Sequence, residues 1–142
     1  MPRCFGLDWG EKRTGVAVSD DRGTLAVGYD VWPTPELLSR LARAVREEGV
    51  EQIVVGYPLT LRGEAGRKAR QVDRFIGELE RAGYLVRRWD ERYSTQDASR
   101  ALTQIGVSQK KQRGRVDMSA AVLILQSYLD SVLHNGENDR GG

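Results

Sequence analysis

The chain is poor in the side chains that build disulfides, zinc sites and histidine-based catalytic centres. Its 142 residues include one cysteine, Cys4, and one histidine, His134. A single cysteine excludes an internal disulfide and a cysteine-based zinc cage. The single histidine lies in a polar stretch near the end of the sequence, which excludes a Ser-His-Asp or Cys-His centre inside the fold. Any hydrolytic chemistry is therefore expected to rest on carboxylates together with a metal ion.

Long apolar runs are also missing. No stretch approaches the ~18 apolar residues of a membrane helix, and the first four residues lead straight into strand-like sequence, unlike a signal peptide. We therefore expect a cytoplasmic protein with no membrane partner. The length fits one domain, since domains cluster at about 100–150 residues. We expect residues 1–134 to form that domain and residues 135–142 to be a disordered tail.

Lysine is scarce as well, with 4 Lys against 18 Arg at a net charge of +2. The planar donor fork of arginine suits phosphate, although codon bias in the genome would give the same excess. One polar loop carries four positive charges and no acid just before Asp117. These four residues are Lys110, Lys111, Arg113 and Arg115. A solvated loop has the same composition, but the neighbouring acid favours nucleic-acid binding.

Alternating and helical patterns predict the element order β-β-β-α-β-α-β-α-α. Three strands with short connections, at 4–8, 16–19 and 25–32, predict an antiparallel meander. Strands at 53–55 and 85–89 each follow a helix, and right-handed crossovers place them parallel to the first strand. The expected fold class is therefore α/β, with a five-stranded mixed sheet and helices on both faces.

The helix boundaries carry recognisable start and stop signals. The first helix is predicted to have Thr34 as its N-cap and to end at Gly49. The second carries an apolar stripe over 72–79. A capping box predicts a short helix over 94–102, and the last helix is predicted to begin near Asp117.

Acidic residues stand where the parallel strands end, which is where ligands sit in such sheets. Asp8 closes the first strand and Asp90-Glu91 closes the fifth, while Asp117 opens the last helix on the face of Ala121. Each acid alone has an ordinary explanation, as a turn residue, a solvated strand end or a helix N-cap. Together at one edge they indicate a site. The two-residue period of a strand lets only one of Asp90 and Glu91 face it.

Clustered carboxylates repel one another, so cations are expected to hold them together. Oxygen-only ligands select hard ions such as Mg²⁺ or Mn²⁺, and two such ions can support phosphodiester cleavage. Lys12 and Arg13, just after the first strand, are candidate phosphate contacts. Trp9, Trp89 and Tyr93 could stack on bases, although core packing is the simpler role for the first two.

Four segments together resemble the YqgF family, also called RuvX-like, of small bacterial RNase H-like proteins. They read GLDWGEKRTGVAVSD at 6–20, IVVGYPL at 53–59, DERYST at 90–95 and DMSAAVLILQSYL at 117–129. They occur in the order of the family and span nearly the whole chain. The resemblance implies an RNase H-like fold and a nuclease that uses divalent metal, with two Mg²⁺ or Mn²⁺ ions.

The same resemblance implies roles for individual residues. The acidic catalytic and metal-binding triad of the family corresponds to Asp8, Glu91 and Asp117. Its polar positions near the site correspond to Arg13, Arg92 and Thr95. One departure is that no acid ends the fourth strand, where resolvases of the RuvC type carry one.

The resemblance leaves the substrate open. The family is associated with maturation of the 5′ end of the 16S ribosomal RNA precursor and is also described as a Holliday junction resolvase. The sequence does not choose between structured RNA and branched DNA, or between a monomer and a homodimer. A non-catalytic nucleic-acid-binding factor is a further alternative, whereas ATP-binding folds that begin with Asp-x-Gly need two lobes and do not fit this length.

Overall fold

The computed structural model describes residues 3–59, 62–92 and 119–133. The strands are β1 (Arg3–Asp8), β2 (Arg13–Ser19), β3 (Ala26–Pro33), β4 (Val50–Tyr57) and β5 (Leu85–Asp90). The helices are α1 (Leu37–Glu48), α2 (Arg67–Arg81) and α3, which covers 119–133. A short 3-10 turn at Thr34–Glu36 leads into α1.

The strands form one sheet in the order β3-β2-β1-β4-β5. The pairs β1–β2 and β2–β3 are antiparallel, while β1–β4 and β4–β5 are parallel. The predicted five-stranded mixed sheet is thus confirmed. β1 and β4 are apolar and buried because each is paired on both sides and covered on both faces. The carboxyl ends of β1, β4 and β5 meet along one side of the sheet, here called the carboxyl edge.

Helices cover both faces of the sheet, as predicted. Phe5 and Leu7 of β1 pack in the core on the face of α1 and α2, and Cys4 packs in a second core on the face of α3. α3 lies so close to β1 that a Cβ on Gly6 would be 2.6 Å from Cβ of Leu125. A glycine is therefore required at position 6 for the helix to seat.

The helices follow the predicted pattern except at the start of α1. The stripe of α2 over 72–79 is buried, and Gly49 ends α1 in the left-handed conformation, with φ 64°. Thr34 as N-cap of α1 is wrong. The chain forms the 3-10 turn first, with Pro33 before it and no side-chain capping hydrogen bond. The Thr34 hydroxyl is used in a tertiary contact described below.

Several expectations fall on other parts of the chain. The short helix predicted over 94–102, the basic loop at 106–115 and the tail at 135–142 lie outside the described residues. In the ranges that are described, no helix combines the length and the apolar character needed to cross a membrane.

Candidate active site

Asp8 and Glu91 meet at the carboxyl edge although β4 lies between their two strands. Asp8 is the last residue of β1, and strand alternation turns its side chain to the α3 face, together with Cys4 and Gly6. Glu91 directly follows β5, and its backbone N–H donates to the Tyr57 carbonyl at 3.1 Å. The two carboxyl groups are hydrogen-bonded to each other. The structure thus brings together two of the three predicted acids.

Gly56 of β4 provides the space in which Glu91 lies. A Cβ at this position would be 2.8 Å from Glu91 Oε1 and 2.5 Å from Ile124 Cδ1, both closer than real Cβ contacts. The φ of Gly56 is not positive, so the requirement for glycine is steric and not conformational. Glu91 therefore reaches Asp8 by crossing over the bare backbone of β4.

The position of Glu91 raises the pKa of its carboxyl from 4.5 to about 7. Burial is the main cause, because it removes the water that solvates the charged form. The charge of Asp8 raises the pKa further, and so does the hydrogen bond that the protonated Glu91 carboxyl donates to Asp8, while Asp90 adds a smaller effect in the same direction. The ammonium group of Lys68 on α2 lowers it. Near neutral pH the pair of carboxyls therefore readily holds one proton.

The donor set of this pair fits a hard divalent cation. Both side chains offer only oxygen, and Mg²⁺ is commonly bound by one or two carboxylates while it keeps several waters. Among residues 3–59, 62–92 and 119–133, no group of three or more Asp, Glu, His or Cys side chains gathers into a candidate metal site. Asp8 and Glu91 are the two candidate ligands that the described residues bring into contact at this edge.

Asp90 is engaged by Arg92. The Arg92 Nε lies 3.1 Å and 2.9 Å from the two carboxylate oxygens of Asp90, and Nη2 donates to Oδ2 at 2.6 Å. These bonds hold the pKa of Asp90 below its usual value. The Arg92 guanidinium also lies over Gly63, with Nη1 3.4 Å from where a Cβ would be. Glu91 therefore joins the site, while Asp90 orients Arg92 beside it.

Thr34 fixes the turn that carries Lys12 and Arg13. Its backbone N–H donates to the Lys12 carbonyl at 2.9 Å, and its hydroxyl donates to the Gly10 carbonyl at 2.6 Å. Because that proton is used, the Thr14 hydroxyl, 3.0 Å away, is the donor to Thr34 Oγ1. This contact explains why Thr34 does not cap α1. It leaves Lys12 and Arg13 exposed at the carboxyl edge on a fixed turn.

The two tryptophans near the site pack within the fold. The Trp9 ring is stacked on Phe75 with centroids 6.4 Å apart. The Trp89 ring meets Tyr128 edge-on at 5.6 Å, and its Nε1 donates to Ser127 Oγ at 3.0 Å. Packing, the simpler role expected for both, is what the structure shows. Tyr93 lies outside the described residues.

Six of the predicted site residues also lie outside the described residues. They are Thr95, Lys110, Lys111, Arg113, Arg115 and Asp117. The described part of α3 begins two residues after Asp117 and lays Ala121 and Leu125 against Gly6. The roles of the six residues therefore stay predictions.

The sequence analysis did not predict the electrostatic effect of Lys68 on Glu91 or the space that Gly56 leaves for the Glu91 side chain. Lys68 precedes Val72 by four residues and Phe75 by seven, so it extends the sheet-facing stripe of α2 beyond the core. That spacing is visible in the sequence, but the arginines around Lys68 are equally typical of a solvated helix face. Gly56 also carried a signal, since an isolated glycine within an apolar strand often marks a close approach.

The chain resembles known proteins over nearly its whole length. It matches the family described as "RuvX: Holliday junction resolvase" over residues 2–131. A relative from Syntrophus aciditrophicus is 45% identical over 136 residues, which cover 92% of this chain and 89% of that protein. One from Geobacillus thermodenitrificans is 44% identical over 135 residues, covering 91% of this chain and 98% of that protein. Both relatives carry the name "Putative pre-16S rRNA nuclease".

A solved structure resembles the fold without close sequence similarity. Thermus thermophilus RuvC in complex with a Holliday junction substrate matches with a TM-score of 0.65 at 13% identity. The match covers 94% of this chain and 97% of that chain. The likeness confirms the expected RNase H-like fold.

Proposed function

This chain belongs to the RuvX family, and from that premise we propose that it is a metal-dependent endonuclease acting on structured nucleic acid. The observation that carries the proposal is the Asp8–Glu91 pair at the carboxyl edge. Two carboxyls are held together there at a cost in repulsion, in a chain whose single histidine, His134, lies outside the described residues. A cation-binding role accounts for that cost, whereas a purely structural role does not.

The acids are proposed to act as the catalytic metal ligands. Asp8 and Glu91 would hold Mg²⁺ or Mn²⁺, with Asp117, four residues before Ala121 in the sequence, as the third ligand. Such ions, bound as a pair, orient the attacking water and stabilise the leaving oxygen in phosphodiester hydrolysis. The contribution of the chain is to preorganise its carboxylates, since β1, β4 and β5 fix two of them before any ion arrives.

Cations around the pair are proposed to hold the substrate backbone. Lys12 and Arg13 lie on the turn that Thr34 pins, and Arg92 is oriented by Asp90. The bonds to Asp90 favour a phosphodiester contact by Arg92, because less of its side-chain entropy remains to be lost on binding, while Thr34 fixes the backbone at Lys12. The other proposed contacts are Thr95, Lys110, Lys111, Arg113 and Arg115.

Processing of the 5′ end of precursor 16S ribosomal RNA is the proposed activity, because relatives that are 45% and 44% identical to this chain are named for that RNA. Resolution of Holliday junctions is the alternative, favoured by the description of the family. The junction has two-fold symmetry and would call for a homodimer, whereas a monomer suffices for the RNA.

The test is a side-by-side cleavage assay. Purified protein is incubated with a precursor 16S RNA fragment and with a four-way DNA junction, at matched salt, in Mg²⁺ and in Mn²⁺. We expect cleavage of the RNA at its 5′ flank and loss of cleavage in excess EDTA. Cleavage of the junction alone would favour the alternative, and binding without cleavage of either substrate would point to a non-catalytic factor.

A further inference from the structure

A cleft of about 500 Å³ opens between the turn that follows β1 and the first turn of α2. It is lined by Trp9, Gly10, Glu11, Arg67, Lys68 and Gln71. Gln71 Nε2 donates to Glu11 Oε1 at 2.7 Å, which ties the turn to the helix and engages the one acid in the lining. The volume falls within the range of roughly 300–1,000 Å³ that holds small ligands.

The two cations of the cleft are available for a ligand. Arg67 and Lys68 are both exposed, and across the described parts of the chain neither forms an ion pair. Arg40 and Arg88 are paired with acids, whereas Arg46 and Arg81, like Arg67, form no ion pair within the described ranges. With Glu11 engaged by an amide, the cleft presents positive charge to solvent.

The cleft opens at the same carboxyl edge as the acid pair, on the α2 side of the sheet, whereas the pair lies on the α3 side. The turn of the cleft begins at Trp9, directly after Asp8, and α2 begins at the carboxyl edge because β4 ends there. Lys68 lies on the sheet-facing stripe of α2, one turn beyond Val72, so its side chain overhangs this edge. The electrostatic effect of Lys68 on Glu91 is consistent with that placement.

We propose that this cleft holds the phosphate of a substrate nucleotide next to the cleaved bond, with Lys68 as the inner contact and Arg67 as the outer one. The proposal rests on the proposed nuclease function and adds to it a binding position on the α2 side of the acids. The substrate strand would then pass from the carboxylates over the Gly10 turn to the start of α2. The lining carries the two cations and the Glu11 carboxylate, a net charge of +1, and a nucleic-acid strand fits because a phosphodiester supplies the single negative charge that would balance it.

The test compares two double variants that remove equal charge. Arg67→Gln with Lys68→Gln changes the cleft, and Arg46→Gln with Arg81→Gln changes the carboxyl-terminal ends of α1 and α2, away from the cleft. Each pair is placed in an Asp8→Asn background, so that binding of the RNA fragment is measured without cleavage. We expect the cleft variant to bind at least about tenfold more weakly. Its slope of log affinity against log salt should be flatter by about 0.7–0.9 for every phosphate that is no longer bound.

A truncated substrate locates the contact. The RNA is shortened by one nucleotide at a time on either side of the cleavage site, and affinities are measured for the parent and the cleft variant. If the cleft holds one nucleotide of the RNA, removal of that nucleotide should weaken binding to the parent but not to the cleft variant. The two changes remove the same contact, so their effects on affinity are not additive. Thermal melting checks that each variant is folded, and the single variants Lys68→Gln and Arg67→Gln replace the double variant if it is not.

The outcomes separate the two proposals. If the unmodified protein neither binds nor cleaves RNA or junction DNA, the proposed function fails and the cleft proposal falls with it. If it binds and cleaves but the cleft variant matches the control in affinity and salt slope, only the cleft proposal is overturned. Equal losses in the cleft and control variants would also overturn it, since they would indicate a general charge effect.

Discussion

The carboxyl of Glu91 lies against the α-carbon of Gly56, at a place where a single added methyl group would come within 2.8 Å of Oε1. β4 lies between the two strands that carry the acids, and it therefore needs a residue without a side chain at position 56. The acid pair depends as much on a missing side chain as on the carboxyls themselves.

Gly56→Ala is expected to impair both stability and cleavage. The new methyl would displace Glu91 or Ile124, and overpacking of this kind costs about 1–3 kcal/mol. Cleavage should fall further than the loss of folded protein explains. The matched control is Gly77→Ala on α2, where the nearest atom to a new Cβ is 3.6 Å away and alanine favours the helix. A Gly56→Ala protein with full activity would contradict the proposed placement of Glu91.

Asp8→Asn is expected to abolish cleavage and to leave the fold intact. Without metal and above the Glu91 pKa of about 7, where both carboxyls are ionised, they repel each other, so the loss of one charge should leave the melting temperature unchanged or raise it. Cleavage assays with metal present and thermal melts in EDTA test the two parts of this prediction. A fall of several degrees in melting temperature, with activity lost in proportion, would show that Asp8 is structural.

Mg²⁺ or Mn²⁺ is expected to raise the melting temperature of the unmodified protein. A ligand bound only by the native state stabilises it, by about 2.7 kcal/mol at a hundred times its dissociation constant. Asp8→Asn should lose most of this effect, which scanning calorimetry with and without metal can measure. Equal stabilisation of both proteins would place the metal elsewhere.

Metal-free protein is expected to lose stability as the pH rises through the window between 4.5 and about 7. The folded state binds the proton of Glu91 more tightly than the unfolded state does, so this contribution is fully present below 4.5 and is lost as the pH passes about 7. Glu91→Gln keeps a neutral group and should remove the effect. The measurement is the difference in unfolding free energy between the two proteins across pH. Asp20 and Asp90 have lowered pKa values, so they add stability as the pH rises. They do so in both proteins, and their contribution therefore cancels in the difference.

Lys110→Ala with Lys111→Ala is expected to weaken nucleic-acid binding for all sequences alike. The slope of log affinity against log salt should flatten by about 0.7–0.9 for each phosphate that these lysines neutralise in the unmodified protein. The metal-induced rise in melting temperature should be unchanged, since neither lysine is a metal ligand. An unchanged salt slope despite weaker binding would mean that these lysines do not contact phosphates.

The sheet and the helices on its faces could be predicted because apolar periodicity and short connections are local signals. The apolar run at 53–55 indicated a central buried strand, and the stripe over 72–79 indicated a helix face, and both are confirmed. Asp8 and Glu91 could be placed at one edge because topology alone brings strand ends together.

What the sequence did not reveal depends on contacts between distant segments. Thr34 has the local character of an N-cap, but carbonyls of the Gly10–Lys12 turn compete for its hydrogen bonds and prevail. The alternation of β5 allowed either Asp90 or Glu91 to face the site. The choice follows from the space over Gly56 and from the bonds between Arg92 and Asp90. The effect of Lys68 on the acids could not be predicted, because the local sequence around a charged helical residue is the same whether its side chain lies over a sheet edge or faces solvent.

The order of the strands also determines when the acid pair can exist. β5 is the outermost strand on its side of the described sheet, and half of its residues are exposed. During synthesis Asp8 emerges long before Glu91, so a growing chain has no paired carboxyls until β5 docks on β4. In the folded protein, we expect local opening of this outer strand to separate the pair before the central strands open. The proposed catalytic pair therefore depends on a completed sheet, and we expect chains truncated before β5 to be inactive.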